Sequence, residues 1–170
     1  MDFKMIPLMK ENMARFQQEM QAAFQFGAEA ALGRLDRDIL PEQDIVHSMT
    51  TQGATSYQAI VDGEMAGGAI VIINGTKGEL ALLYVVNKLQ GKKIGQQLWK
   101  AIEAHYPAVK VWETCTPYFE KRNIHFYINC CGFAAVEFYH PRHRNPDTLF
   151  SEEHHKEEEY FFRFTKVVNR

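Results

Sequence analysis

The sequence predicts an α+β fold in which a mixed, mostly antiparallel central sheet is flanked by helices. Apolar residues recur at helical spacing through the first third of the chain, and short apolar runs separated by turn dipeptides follow. A length of 170 residues with 46% hydrophobic content suits one domain with a substantial core. We therefore expect a single domain over residues 1–170, mainly helical over 1–56 and sheet-forming over 57–168.

The charge and hydropathy of the chain argue against several classes of function. The 19 basic and 21 acidic side chains give a net charge of -2, which is too balanced for non-specific nucleic-acid binding. No apolar run approaches the roughly 20 residues of a membrane span, and the N-terminus lacks a secretion signal. Because two of the three cysteines are adjacent, we expect free thiols in a cytoplasmic protein.

The first third of the chain is predicted to form one short strand, over residues 3–8, and two helices. The longer helix is amphipathic, with apolar residues that we interpret as core, although they could instead line a binding pocket: Met13, Phe16, Met20 and Phe24. Pro41 suits the first turn of the second helix.

The middle of the chain predicts an antiparallel meander and then a crossover. Three strands, over 57–61, up to 73 and over 79–86, are separated by turn dipeptides at 62–63 and 74–75. A helix beginning between Gly91 and Gly95 leads to a strand over 109–113. This order implies a right-handed crossover between parallel strands.

The last third predicts a helix and a long-looped hairpin. Pro117 suits the start of a helix that runs to about Cys131, with Gly132 as its C-cap. Strands over 133–139 and 160–168 could pair across a polar loop at 141–158.

One segment carries a chemical signal, a turn with two glycines and two lysines between a predicted strand and a predicted helix. The free N–H groups and the dipole of a helix N-terminus favour an anion. Backbone donors from Gly91 to Gly95 could therefore hold a pyrophosphate, to which Lys92 or Lys93 adds charge. The segment has neither the ending of a P-loop nor the three glycines of a dinucleotide fingerprint, so a nucleotide-binding or redox protein is a weaker alternative.

The same segment, VVNKLQGKKIGQQLWKAIE, resembles the acyl-CoA-binding motif of the GNAT superfamily of N-acetyltransferases. Gln90 and Gly95 match that motif, whereas Lys93 stands where the family pattern usually has its first glycine. Residues 125–133, HFYINCCGF, are similar to a second signature of the family. The resemblance implies transfer of an acetyl group from acetyl-CoA to a primary amine of a small molecule or peptide, without a metal, and a homodimer is plausible.

The resemblance also implies roles for particular residues. Backbone N–H groups of a splayed strand would contact acetyl-CoA at Leu83, Tyr84 and Val85. The phosphate cradle would comprise Gln90, Gly91, Lys92, Lys93, Ile94 and Gly95. Tyr127 matches the general acid that protonates the CoA sulfur. Many members carry an asparagine seven residues before this tyrosine, where this chain has Glu120, so Asn123 is a further candidate for CoA contact.

The residue that deprotonates the amine is left open. Glu79 lies eleven residues before Gln90, the offset of the glutamate base in histone-type members, and Glu113 ends the next predicted strand. Glu79 could equally be a solvated carboxylate at a strand end, and Glu113 could equally bind the cationic amine.

Three other hypotheses have weaker support. Cys115 and His125 could form a nucleophile and base, although a buried, unreactive thiol is the commoner case. His154 and His155 invite a metal-site interpretation, but adjacent histidines in an acidic loop do not define a tetrahedral site. A non-catalytic module that binds acyl-CoA is the alternative to an enzyme.

Overall fold

A computed structural model describes residues 1–146 and 159–168. Within these ranges seven strands form one sheet in the order β1-β2-β3-β4-β5-β7-β6. The strands are β1 (Phe3–Pro7), β2 (Ala54–Val61), β3 (Glu64–Asn74), β4 (Lys77–Val85), β5 (Val111–Pro117), β6 (Ala134–Tyr139) and β7 (Phe161–Val167). The helices are α1 (Met13–Leu32), α2 (Glu42–Thr50), α3 (Ile94–His105) and α4 (Lys121–His125), and α4 continues into a π-helical segment over Phe126–Cys130.

The sheet is antiparallel except at one junction. β4 and β5 are parallel, and α3 connects them as predicted. Their pairing covers only Lys77 to Glu79 of β4 and Val111 to Glu113 of β5. Beyond that point the two strands diverge, so the second half of β4 has a neighbour only at β3.

Hydrophobic side chains pack on both faces of the sheet, because successive residues of a strand point to opposite sides. Ile70 of β3 packs with Phe16 and Met20 of α1, while the adjacent Val71 belongs to the cluster formed with α3. That second cluster takes its fully buried α3 side chains from one helix stripe: Ile94, Leu98, Trp99 and Ile102. The two helices are thereby fixed on opposite faces of β3 and β4.

Several predicted elements are confirmed. The α+β class, the turn at 62–63, the parallel crossover and the pairing of β6 with β7 are present. The turn predicted at 74–75 lies one residue later, at Gly75 and Thr76, because Asn74 still pairs with Lys77 as the last residue of β3. The prediction that Met13 is core is wrong, because its side chain is 43% exposed. Pro117 does not start a helix: it ends β5, paired with Phe161 of β7, and the helix begins four residues later. None of the described helices is long and apolar enough to cross a membrane.

Candidate functional site

A cleft of about 600 Å³ opens where β4 and β5 diverge. Its walls come from α1, the end of β4, the first turn of α3, and the segment from the end of β5 into the π-helical turn. Among the predicted site residues, those that line it are Leu83, Tyr84, Val85, Gln90, Gly91, Lys93, Ile94, Gly95 and Asn123. Most of the predicted cofactor-binding residues therefore lie on one concave surface.

The end of β4 presents backbone groups to the gap. Val86 N–H donates to Ala66 O of β3 (2.9 Å), so by the alternation of antiparallel ladders the N–H groups of Leu83 and Val85 point away from β3. They lie beyond the last β4–β5 pair. Gln90 Nε2 donates to Val85 O at 3.4 Å, which ties the following turn to this strand end.

The N-terminus of α3 has the character of an anion site. It has no side-chain cap and no acidic residue in its first turn, so its first N–H groups and positive dipole end are not offset locally. Gly91 has φ of 82° and Lys93 has φ of 62°, so the turn places two residues in the left-handed region. A β-carbon on Gly95 would lie 3.2 Å from the Phe126 ring, which explains why the second residue of α3, close to the π-helical segment, is a glycine.

Lys93 takes the backbone conformation that a glycine would adopt most easily. A non-glycine residue in the left-handed region costs roughly 1–2 kcal/mol. The departure from the family pattern therefore preserves the shape of the turn, at a cost in stability, while placing a cationic side chain in the cleft wall. Lys92 is exposed and does not line the cleft, so of the two predicted lysines only Lys93 is placed to meet a bound anion.

Further cations line this end of the cleft. Arg122 of α4 donates from Nη1 to Gln90 Oε1 (2.5 Å), joining the two sides, and Lys121 lies beside it. Asn123 Nδ2 donates weakly to Thr116 Oγ1 at 3.4 Å. Together with Lys93, the side chains of Lys121 and Arg122 give the α3 end of the cleft a positive charge that suits phosphate groups.

Glu120 is not among the predicted site residues, although it stands seven residues before Tyr127. It is half-buried, and among the described residues that line the cleft it is the single acidic one. Burial raises the pKa of the Glu120 carboxyl, and the charge of Arg122 offsets part of that shift. A β-carbon on Gly27 of α1 would lie 3.0 Å from Glu120 Oε1, so the carboxylate lies directly against α1.

Tyr127 does not line the cleft. Its side chain is 7% exposed and packs on Phe133 and Phe164, with ring centroids 5.8 Å away in both cases. Burial raises the pKa of the Tyr127 phenol, while a hydrogen bond with Thr114 acts in the opposite direction. Thr114 directly follows the last β4–β5 pair, and its hydroxyl donates to Leu80 O (2.8 Å). The phenol therefore lies at the apex of the gap, beneath the cleft wall.

The two predicted base candidates lie outside the cleft wall. Glu79 and Glu113 are partners in the last β4–β5 pair. Glu79 is exposed, and Glu113 Oε2 lies 3.6 Å from Arg163 Nη1 of β7. Neither carboxylate is brought together with the cradle residues.

The structure does not bring Cys115 to His125 in the cleft; the cysteine near His125 is Cys130. His125 lines the cleft, with Asn129 Nδ2 2.8 Å from Nδ1 and Cys130 Sγ 3.8 Å from Nε2. Cys115 is an exposed residue of β5 outside the cleft wall. His154 and His155 lie outside the described residues, and residues 1–146 and 159–168 hold no cluster of three metal-binding side chains.

Comparison with known proteins is consistent with this geometry. A family model described as the acetyltransferase (GNAT) family matches residues 14–133, so the match includes α1 and α2 as well as the sheet. The chain is 39% identical to the uncharacterised protein YrkN of Bacillus subtilis strain 168, over 97% of this chain and 94% of YrkN.

Two solved structures illustrate the likeness of fold. One is a GNAT family acetyltransferase of Elizabethkingia anophelis with acetyl-CoA bound, at a TM-score of 0.71 and 15% identity over 98% of each chain. The other is an acetyltransferase of Bacillus subtilis in complex with CoA, at a TM-score of 0.69 and 21% identity over 99% of this chain and 100% of that one.

Proposed function

This chain belongs to the GNAT family of acetyltransferases, and on that premise we propose that it transfers an acetyl group from acetyl-CoA to a primary amine of a small molecule or peptide. The observation that carries the proposal is one cleft that joins the diverging end of β4 to the cationic N-terminus of α3. The amine would attack the thioester directly, with both substrates bound.

The two halves of that cleft suit different parts of acetyl-CoA. The first N–H groups of α3 and the Lys93 side chain would hold the pyrophosphate, because both favour negative charge. The N–H groups of Leu83 and Val85 would bind the thioester arm and its carbonyl oxygen, where negative charge develops during attack. CoA species bound to structures of the same fold support this assignment.

Tyr127 would supply the proton that the departing CoA thiolate needs. Its burial raises the pKa of the phenol, so the group stays protonated at neutral pH and is available as a donor. Its hydrogen bond with Thr114 positions it at the apex of the gap, next to the end of the paired region of β4. The amine proton would pass to a carboxylate, through water if Glu79 or Glu113 receives it.

The proposal is tested by isothermal titration of the purified protein with acetyl-CoA, and with free CoA, ATP and NAD as controls. We expect selective binding of the two CoA species and, on adding primary amines, release of CoA thiol. Binding of ATP or NAD in place of CoA would contradict the cradle assignment. Acetyl-CoA binding without thiol release would favour a non-catalytic acyl-CoA-binding module, an alternative motivated by the placement of Glu79 and Glu113 outside the cleft.

A further inference from the structure

We infer that Glu120 is the catalytic residue that receives the acceptor amine, and that the acceptor is a small monoamine with an apolar body that packs against α1. This inference rests on the proposed acetyl transfer and specifies its acceptor. It is motivated by a carboxylate in the cleft wall that faces an apolar surface of α1.

The backbone holds Glu120 firmly at the junction between β5 and α4. Glu120 N–H donates to Pro117 O (3.1 Å), and Glu120 O accepts from Ile124 N–H (3.0 Å) as the first turn of α4 forms. The side chain is half-buried against Gly27, where α1 has no β-carbon to exclude it. The backbone at Glu120 is therefore fixed, and its carboxylate lies between α1 and α4.

Glu120 lies on the β5 side of the gap, because its N–H donates to Pro117 O at the end of that strand. The negative charge of Glu120 also contributes, as the smallest of several causes, to the raised pKa of the Tyr127 phenol. Tyr127 in turn reaches Thr114 at the apex of the β4–β5 gap. A cationic amine that pairs with Glu120 would thus be held near the thioester, whereas the cations Lys93, Lys121 and Arg122 would face the phosphates.

The proposed acetyl transfer can be written with every proton and bond accounted for by Glu120, Tyr127 and the two substrates. The ammonium loses one proton to the Glu120 carboxylate, and the freed nitrogen lone pair forms a bond to the thioester carbonyl carbon as the C–S bond breaks. The thiolate takes the Tyr127 proton, and the second proton shed by nitrogen restores the phenol. Glu120 then releases its proton to water, which leaves an amide, CoA thiol and one proton. Because burial raises the pKa of the carboxyl, it is a better base than an exposed glutamate.

The surface of α1 beside Glu120 indicates the chemical character of the rest of the acceptor molecule. α1 contributes small and aromatic side chains to the cleft: Ala23, Phe24, Phe26, Ala30 and Ala31. Phe26 is 52% exposed, which leaves apolar area to be covered by a ligand. No second acidic residue lines the described cleft, so a diamine would have no partner for its distal charge. A carboxylate next to the amine would be repelled by Glu120.

The test compares three amines as acceptors, with CoA thiol release as the readout. Phenethylamine has one amine and an apolar body, phenylalanine adds a carboxylate, and putrescine is a diamine. We expect kcat/KM to be highest for phenethylamine. Glu120→Gln should lower that value by about 100-fold or more, while the acetyl-CoA dissociation constant changes by less than about threefold. Glu11→Gln, an exposed carboxylate outside the cleft, is the matched control.

Each outcome has a distinct meaning. If the wild type binds acetyl-CoA but releases no thiol with any amine, the proposed function fails and the inference with it. If Glu120→Gln keeps wild-type turnover, the role of Glu120 is overturned while the function stands. Preference for phenylalanine or putrescine overturns the acceptor class. Phe26→Ala, at a position that is 52% exposed, should raise KM for phenethylamine but not for ethylamine, and equal effects on both would contradict the apolar surface.

Discussion

Charged residues in the cleft and charged residues at the far end of the sheet have opposite environments: the first are unfavourably placed and the second are paired. At the β6–β7 edge, Glu137 accepts hydrogen bonds from Arg163 Nε and Tyr139 Oη (both 2.9 Å) and lies 2.6 Å from His143 Nε2. These partners, His143 first, lower the pKa of the Glu137 carboxyl to about 2. In the cleft, burial instead raises the pKa of Glu120, and Lys93 adopts a left-handed conformation at a helix N-terminus that disfavours cations.

The contrast distinguishes charged residues that stabilise the fold from charged residues that are placed to bind a ligand. Charges at the β6–β7 edge satisfy one another, so they need no ligand. Lys93 and Glu120 are less favourable in isolation, and each becomes favourable when a molecule of opposite charge enters the cleft. Substitutions at these positions test whether the unfavourable placements of Lys93 and Glu120 serve ligand binding.

The largest expected effect comes from removing the phenol at the apex of the gap. Tyr127→Phe keeps the ring packing on Phe133 and Phe164 but removes the proposed proton donor, so turnover should fall by about 100-fold with nearly unchanged acetyl-CoA binding. Steady-state kinetics and titration calorimetry measure the two effects. As a control, Tyr118→Phe alters an exposed tyrosine outside the cleft wall. Unchanged turnover in Tyr127→Phe would leave the phenol as a core group only.

The next effect concerns the start of α3. Gly95→Val forces a side chain into the space beside the Phe126 ring and Val85, so it should separate the cradle from the π-helical segment. Overpacking of this kind costs about 1–3 kcal/mol of stability. We expect acetyl-CoA affinity to fall by about tenfold or more, since misplacing one hydrogen bond to a charged phosphate is enough to do so.

Calorimetry with Lys100→Val, an exposed change on the same helix, separates the local effect from general damage to α3. Equal affinities for the wild type and Gly95→Val would show that the phosphates bind elsewhere.

The sequence predicts a feature of the site when the residues that cause it are neighbours in the chain, and it does not when they come together only in the fold. The cradle was predicted because its glycines, lysines and flanking apolar runs are consecutive in sequence. Glu120 was missed because its environment depends on Gly27, which is far away in the chain and approaches only after α1 docks on the sheet. Pro117 was misassigned because its pairing with Phe161 of β7 outweighs its suitability for a helix start.

The π-helical segment was also beyond sequence reasoning. Its diagnostic bond joins Cys131 N–H to Phe126 O across five residues (3.0 Å), and nothing in the local composition distinguishes that bond from an α-helical one. The extra residue in this turn helps to set which side chains face the cleft. His125 and Cys130 do so, while Tyr127 points into the core.

A smaller effect is expected at Lys93, where stability and affinity should change in opposite senses. Lys93→Gly relieves the left-handed strain and should raise the free energy of unfolding by about 1 kcal/mol. It also removes a cation from the cradle, so acetyl-CoA should bind a few-fold more weakly, most clearly at low salt. Denaturant unfolding and calorimetry give the two values. Lys92→Gly is the matched control and should show neither change, because Lys92 has no positive φ and lies outside the cleft wall.

The smallest predicted effect is a change in thermal stability when Glu120 or Glu137 is replaced. Glu120 has a raised pKa, so its charged form disfavours the fold, and stability is lost as the pH rises through that pKa. Glu137 has a lowered pKa, so its charged form favours the fold, and stability is lost as the pH falls from the ordinary value of 4.5 toward 2. At pH 7, Glu120→Gln should therefore raise Tm, and Glu137→Gln should lower it.

Thermal unfolding at pH 7 and at pH 3 distinguishes this account from a general effect of removing a negative charge. At pH 3 the Tm gain of Glu120→Gln should vanish because the native carboxyl is protonated. The loss in Glu137→Gln should be smaller than at pH 7 but still present, because pH 3 lies between the ordinary pKa of Glu137 and its lowered value in the fold. Shifts of the same sign at pH 7 would mean that net charge, and not local placement, controls both. Opposite shifts would tie the destabilising carboxylate to the cleft, where an incoming cation can neutralise it.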